Sequence, residues 1–175
     1  PDPCGTCRGE GRRVADRSFT VQVRAGVDEG TTLRLTGRGA VGPRGGPAGD
    51  LYVRVRVRAH PIFERHGVDL LHRLHLTMTQ AALGVILDYE TLDGVEELVI
   101  PRGTATGKVF RFRGRGVPHL QGRGRGDLVV EVHVDTPAEL SEEAERLLRA
   151  LADERGEVVA DVDEGLISKI RSAFW

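Results

Sequence analysis

From position 51 apolar and polar residues alternate: Leu51, Val53, Val55 and Val57 are separated by Tyr52, Arg54 and Arg56. A period of two is the signature of a β-strand with one buried face. The alternation returns at Leu128, Val130, Val132 and Val134, a constant offset of 77 residues (128 − 51, 134 − 57). At the same offset Leu33 and Leu35 superpose on Phe110 and Phe112, and Gly26, Gly30, Gly37, Gly39, Gly49 and Asp50 on Gly103, Gly107, Gly114, Gly116, Gly126 and Asp127. A shared glycine skeleton at fixed spacing means a shared set of turns, because glycine stands where φ is positive or backbones approach closely. The chain therefore reads as two similar β-rich modules in series.

The remaining pattern fills in the elements. Phe19 to Val23 reads as a strand, Gly26 to Gly30 as a turn and Thr32 to Leu35 as the returning strand. A loop rich in Gly and Pro leads into Leu51 to Val57, which Pro61 ends because it cannot donate to a ladder. Asp69 to Leu76 is a further strand, and Met78 to Leu83 a helical turn stopped by Gly84. Val85 to Leu92 and Glu96 to Ile100 flank Asp93-Gly94, a dipeptide suited to a hairpin turn. After Pro137 the period changes to 3.6: Ser141 is an N-cap, Glu142 and Glu143 occupy the first turn, and Ala144, Leu147, Leu148 and Leu151 form one apolar stripe. Gly156 to Glu164 predicts a mobile acidic linker, and Leu166, Ile167, Ile170 and Phe174 a last amphipathic helix with Lys169 and Arg171 on its other face.

Composition narrows the function classes. Of the 175 residues 39% are hydrophobic and only 5% aromatic, so each module, at about 75 residues, has a thin aliphatic core and leans on neighbours. A net charge of −1 gives no global pull toward nucleic acid or membrane. No apolar run approaches the roughly twenty residues that span a bilayer, and Pro1 opens neither a basic stretch nor a signal-like segment, which predicts a soluble, cytoplasmic protein. No Ser/His/Asp or paired-carboxylate arrangement stands out, so a non-enzyme is expected.

Two constellations carry candidate chemistry. Cys4 and Cys7 stand in a CxxCxGxG unit whose thiolates suit zinc, but a structural zinc takes four ligands and two cysteines supply half a site. A loose pair of reduced thiols is the bland reading, and a redox pair is disfavoured by Gly9 and Gly11 where a helix would have to start. Arg111, Arg113, Arg115, Arg123 and Arg125, interleaved with glycines, raise the alternative of a nucleic-acid-binding module, against that of a solvated turn-rich loop. His72 and His75 point to opposite faces of one strand and so do not share a metal.

Taken in order, Cys4 to Gly11, Ala25-Gly26-Val27-Asp28-Glu29-Gly30, Ala48-Gly49-Asp50-Leu51-Tyr52-Val53, His60-Pro61-Ile62-Phe63-Glu64-Arg65, Ala81-Ala82-Leu83-Gly84, Thr91-Leu92-Asp93-Gly94 and Gly114-Arg115-Gly116-Val117-Pro118 resemble the C-terminal part of the DnaJ family, the class A Hsp40 co-chaperones. The resemblance runs from Asp2 to about Leu151. It implies a mostly β fold of two tandem sandwich- or barrel-like modules followed by an α-helical dimerisation tail. The implied division is 1–13 as a remnant of the zinc region, 14–66 and 67–138 as the first and second client-binding modules, and 139–175 as dimerisation helix and tail. Cys4 and Cys7 match the fourth of four zinc repeats, which in the family shares its zinc with the first. The function implied is to bind unfolded polypeptides, prevent their aggregation and deliver them to Hsp70 (DnaK), as part of a stress response.

The sequence departs from the family in two respects. Its only His-Pro, His60-Pro61, is followed by Ile62 and not by the aspartate of the Hsp70-activating motif, and the Gly/Phe linker, three zinc repeats and the strands that precede the zinc region are missing. A chaperone body without its switch is therefore expected. For the client site, Phe63 is the leading candidate, in a loop after Pro61 among the charges of Glu64 and Arg65, with Phe19 the weaker one. The competing reading is that Phe63 plugs the base of its own module. Leu147, Leu148 and Leu151 are the candidate homodimer interface.

Overall fold

The computed structural model describes residues 4–7, 9 and 11–160. The fold is mostly β. In chain order its elements are β1 (Thr32–Leu35), β2 (Leu51–Arg54), β3 (Glu64–His66), β4 (Asp69–Thr77), α1 (Met78–Leu83), β5 (Val85–Thr91), β6 (Gly94–Ile100), β7 (Val109–Phe112), β8 (Leu128–Asp135) and α2 (Glu142–Arg155). Strands β1 and β2 form one two-stranded sheet, β3-β4-β8-β7 a four-stranded sheet and β5-β6 a second two-stranded sheet. Among the described residues none of these sheets closes into a barrel. The chain divides into two compact units, one ending at Val134 and the other beginning at Asp135.

The repeat is reproduced bond by bond. Antiparallel pairing sets Leu35 opposite Leu51 in the first copy and Phe112 opposite Leu128 in the second. Both Gly37 and Gly114 have φ of +69° and donate their N–H to the carboxylates of Asp50 and Asp127, at 2.8 and 2.9 Å. Arg34 and Arg111 pair with those same carboxylates. The amide of Gly39 donates to Gly49 and that of Gly116 to Gly126, each at 2.8 Å. Even the strand exits match, since Val57 N–H donates to the Glu29 carboxylate and Val134 N–H to the Thr106 hydroxyl. These amides follow the same bonds in both copies because turn geometry is set by the glycines, which are shared.

Burial separates the copies. Leu128, Val130 and Val132 of β8 are fully buried, whereas no residue of β1 or β2 is. Strand β8 has a neighbour on each side and a hairpin over it: Leu70 and Leu76 from β4 and Tyr89, Leu98 and Ile100 from β5-β6 join it in one core cluster. Contacts between β4 and β8 advance in step along both strands, from the Leu70 amide on the Asp127 carbonyl to His75 against His133, the order of a parallel pair. Each fully buried aliphatic side chain here contributes about 1.5–3 kcal/mol relative to exposure.

Local signals set the helices and the hairpin. Thr77 and Gln80 form a capping box at α1, the Thr77 hydroxyl accepting from the Gln80 amide and the Gln80 side chain from the Thr77 amide. Gly84 ends α1 at φ +85°, where a Cβ would lie 3.0 Å from the Ile100 carbonyl. The buried Thr91 hydroxyl closes the β5-β6 turn, donating to the Gly94 carbonyl and accepting from the Asp93 amide. At α2 the Ser141 hydroxyl accepts from the Ala144 amide, and Gly156, at φ +68°, terminates the helix.

Two expectations differ from the structure. Residues 19–23 form no strand and belong to no ladder, because no strand pairs with them among the described residues. Strand β2 is shorter than the alternation, ending at Arg54 although the Val55 amide still bonds to Thr31. The predicted linker is described only as far as residue 160, where it is coil, and the amphipathic helix of 166–174 lies outside the described residues.

Candidate functional site

The stretch from Val57 to Gly67 leads from the first repeat through β3 toward β4. Pro61 follows His60, whose ring Nδ1 accepts from the amides of both Ile62 and Phe63, at 3.2 Å each. That tight turn folds the His60 ring onto Phe63, with centroids 5.0 Å apart. It also sends neighbouring side chains opposite ways: Phe63 is 6% exposed and Ile62 43%.

Phe63 begins a train of rings. It meets His72 edge-on at 5.9 Å, the Nδ1 of His72 lies 2.6 Å from the Tyr89 hydroxyl, and Tyr89 stacks on Phe112 at 5.4 Å. Burial pushes the Tyr89 phenol up to about 12, so it stays a donor, and burial followed by the nearby His75 holds His72 below its ordinary value. A neutral His72 is the acceptor this pair requires.

Beside the train lies a cleft of about 810 Å³, lined by Ile62, Phe63 and Pro61 from the stretch after the first repeat, Val57 after β2, Leu92 from the β5-β6 turn and Val117 from the second repeat. Arg65 fixes one wall. Its guanidinium donates to the carbonyls of Val27, Gly26 and Gly67 and pairs with Asp28. The turn thus held is already tight, because a Cβ on Gly26 would stand 2.0 Å from the Pro118 carbonyl oxygen. The arrangement is an apolar trough rimmed by charge, suited to an apolar side chain on an extended chain.

Phe19 lies elsewhere. It is half-buried in a separate depression of about 470 Å³ with Leu35, and the Arg38 guanidinium sits 5.5 Å over its ring. The structure therefore places Phe63 and Phe19 in two different hollows. Cys4 is exposed and Cys7 partly so, both as free thiols. Amide donation to Cys4 from Thr6, then from Cys7, lowers its pKa, favouring the thiolate that binds metal. The pair fits one half of a tetrahedral thiolate site; among the described residues no cluster of three or more metal-ligating groups includes a cysteine. Leu147 and Leu151 are each 54% exposed on α2, with Leu148 half-buried.

The arginines of the second repeat are largely spoken for. Arg111 pairs with Asp127, Arg115 with Glu96 and Asp93, and Arg125 with Asp93, while the Arg125 Nε also donates to the Gly116 carbonyl. Sequence reasoning missed Ile62, Leu92 and Val117 as cleft residues. Ile62 was legible in principle as the apolar neighbour of Phe63, but Leu92 and Val117 arrive from distant turns.

A sequence profile described as the DnaJ C terminal domain matches residues 7–137. The chain belongs to that family. It is 43% identical over 173 residues to a chaperone protein DnaJ of Acetivibrio thermocellus, covering 99% of this chain and 45% of the relative. A chaperone protein DnaJ 2 of Streptomyces coelicolor is 49% identical over 191 residues, covering 98% and 50%. A DnaJ of Haloarcula marismortui is 44% identical over 173 residues, covering 99% and 45%. The chain thus spans about half the length of the DnaJ relatives it matches. No helix among the described residues is long and apolar enough to cross a membrane.

Proposed function

We propose that this chain is the client-holding body of a DnaJ-type co-chaperone. It binds unfolded or misfolded polypeptide, keeps it from aggregating, and delivers it to an Hsp70 partner in the cytoplasm; it catalyses no covalent chemistry. The observation that carries this reading is the apolar trough between the repeats, with Phe63 as its floor and the exposed Ile62 as its wall. A non-native chain offers scattered apolar side chains and unpaired backbone, so a shallow trough next to open strands recognises it without reading sequence. The internal ion pairs of Arg111, Arg115 and Arg125 favour this over a nucleic-acid interface, since those cations are already matched.

In this reading α2 pairs with α2 of a second copy through Leu147, Leu148 and Leu151. Zinc, in the whole protein, is held by Cys4 and Cys7 together with two thiolates from outside this chain, and supplies a structural cross-link. The trigger for Hsp70 lies outside the chain too, as Ile62 follows His60-Pro61 where that trigger has aspartate.

The test is suppression of aggregation of a chemically denatured reporter enzyme, followed by light scattering. The wild-type chain suppresses it and Ile62→Asp does so several-fold less well at unchanged melting temperature. The chain alone leaves the ATPase rate of an Hsp70 unchanged in single turnover. Equal suppression by both variants would remove the trough from the client site.

A further inference from the structure

The outward face of the β5-β6 hairpin carries an unmatched acidic stripe between apolar residues. Its rungs pair Ile86 with Val99, Asp88 with Glu97 and Glu90 with Val95, and all six side chains are exposed. Ile86 is 64% exposed and Val95 66%. Two carboxylates directly opposite each other destabilise a sheet. Acids elsewhere on this hairpin are neutralised: Arg115 and Arg125 converge on Asp93, and Arg115 also on Glu96. Asp88, Glu90 and Glu97 meet no cation among the described residues.

Strands β5 and β6 are both edges, and a charge on each would block unwanted pairing. Edge protection alone does not require the two to be of like sign on the same rung, where they cost stability that a Lys–Glu pair would avoid.

The pattern along β6 reads as a code. Val95, Glu97 and Val99 lie on one face two residues apart, and β6 has no strand on its far side among the described residues. A strand added there sets its own same-face residues at the same spacing. We propose that the β6 edge binds extended polypeptide of the form apolar-x-Lys/Arg-x-apolar, the cation lying between Glu97 and Asp88 and the apolar residues beside Val95 and Val99. This surface shares no residue with the trough around Phe63, so it adds a charge preference that the trough does not supply.

The test uses two nonapeptides of Thr and Val that differ only in a central Lys or Glu, with binding followed by fluorescence anisotropy at low salt. The wild-type chain is expected to prefer the Lys peptide roughly fivefold to tenfold, as two partly screened ion pairs allow. Asp88→Asn with Glu97→Gln brings the ratio to about one with an equal or higher melting temperature, because the facing charges are gone. Asp88→Lys with Glu97→Lys inverts it. Ile62→Asp, which alters only the trough, is expected to keep the preference for the Lys peptide, which separates a failure of this proposal from a failure of the trough.

A wild-type ratio near one, or a ratio that survives the charge reversal, overturns the proposal. So does sedimentation showing that the charge reversal abolishes self-association of the chain while leaving peptide preference intact, which would assign the face to a second copy.

Discussion

Ile62 and Phe63 are neighbours in sequence and opposites in exposure, and their substitutions are expected to separate accordingly. Phe63→Ala empties space beneath His60 and beside His72, and is expected to lower stability by about 3 kcal/mol or more in chemical denaturation. Ile62→Ala is expected to leave the denaturation midpoint within error while weakening peptide binding. His72 supplies a pH dependence. Its folded pKa lies below the unfolded value near 6.5, so as pH falls through that value the unfolded chain takes up a proton that the fold refuses. The stabilisation is complete above about pH 6.5 and declines below it. Melting temperature is expected to drop between about pH 7.5 and 5.5, and His72→Gln to show a smaller drop over the same interval. An equal drop in both proteins would remove His72 from this role.

Among the elements, those with local causes are the ones the chain declares openly. Helix α1 was expected at Met78 to Leu83 and lies there, because Thr77, Gln80 and Gly84 carry both of its ends within eight residues. Ser141 likewise opens α2 where the change of period placed it. Residues 19–23 show the converse: alternation is a necessary property of a strand, but the ladder partner is non-local, and nothing in the segment itself reveals whether one is beside it. The candidate site divides in the same way. Phe63 stood out as a lone aromatic after proline, whereas Leu92 and Val117 reach the cleft only through pairing that residue patterns do not encode. Loss of a cap gives a direct measurement, and Thr77→Ala is expected to cost about 1 kcal/mol, with Thr77→Ser close to wild type.

For the whole molecule, assembly and metal are the properties to measure. With Leu147 and Leu151 half-exposed on a helix, a two-fold symmetric dimer is expected in sedimentation at micromolar concentration, and Leu148→Asp is expected to shift it to monomer. A monomer indifferent to that change would end the proposal. Two thiolates hold zinc loosely, so the dialysed chain is expected to retain clearly less than one equivalent. A full equivalent that vanishes in Cys4→Ser would instead mean that two chains complete one site.

The twin repeats also amount to a controlled comparison that the chain performs on itself. Gly30 and Gly107 donate to equivalent carbonyls, of Val55 and Val132, and the amides of those two valines return equivalent bonds to Thr31 and Lys108, yet β2 has no buried residue and β8 has three that are fully buried. Amide hydrogen exchange therefore compares like with like. The Val132 amide is expected to open to solvent only when the second repeat unfolds, and the Val55 amide through a smaller, local release. The first repeat can then loosen while the second keeps its shape, which gives a single chain one compliant half and one rigid half from nearly the same turns.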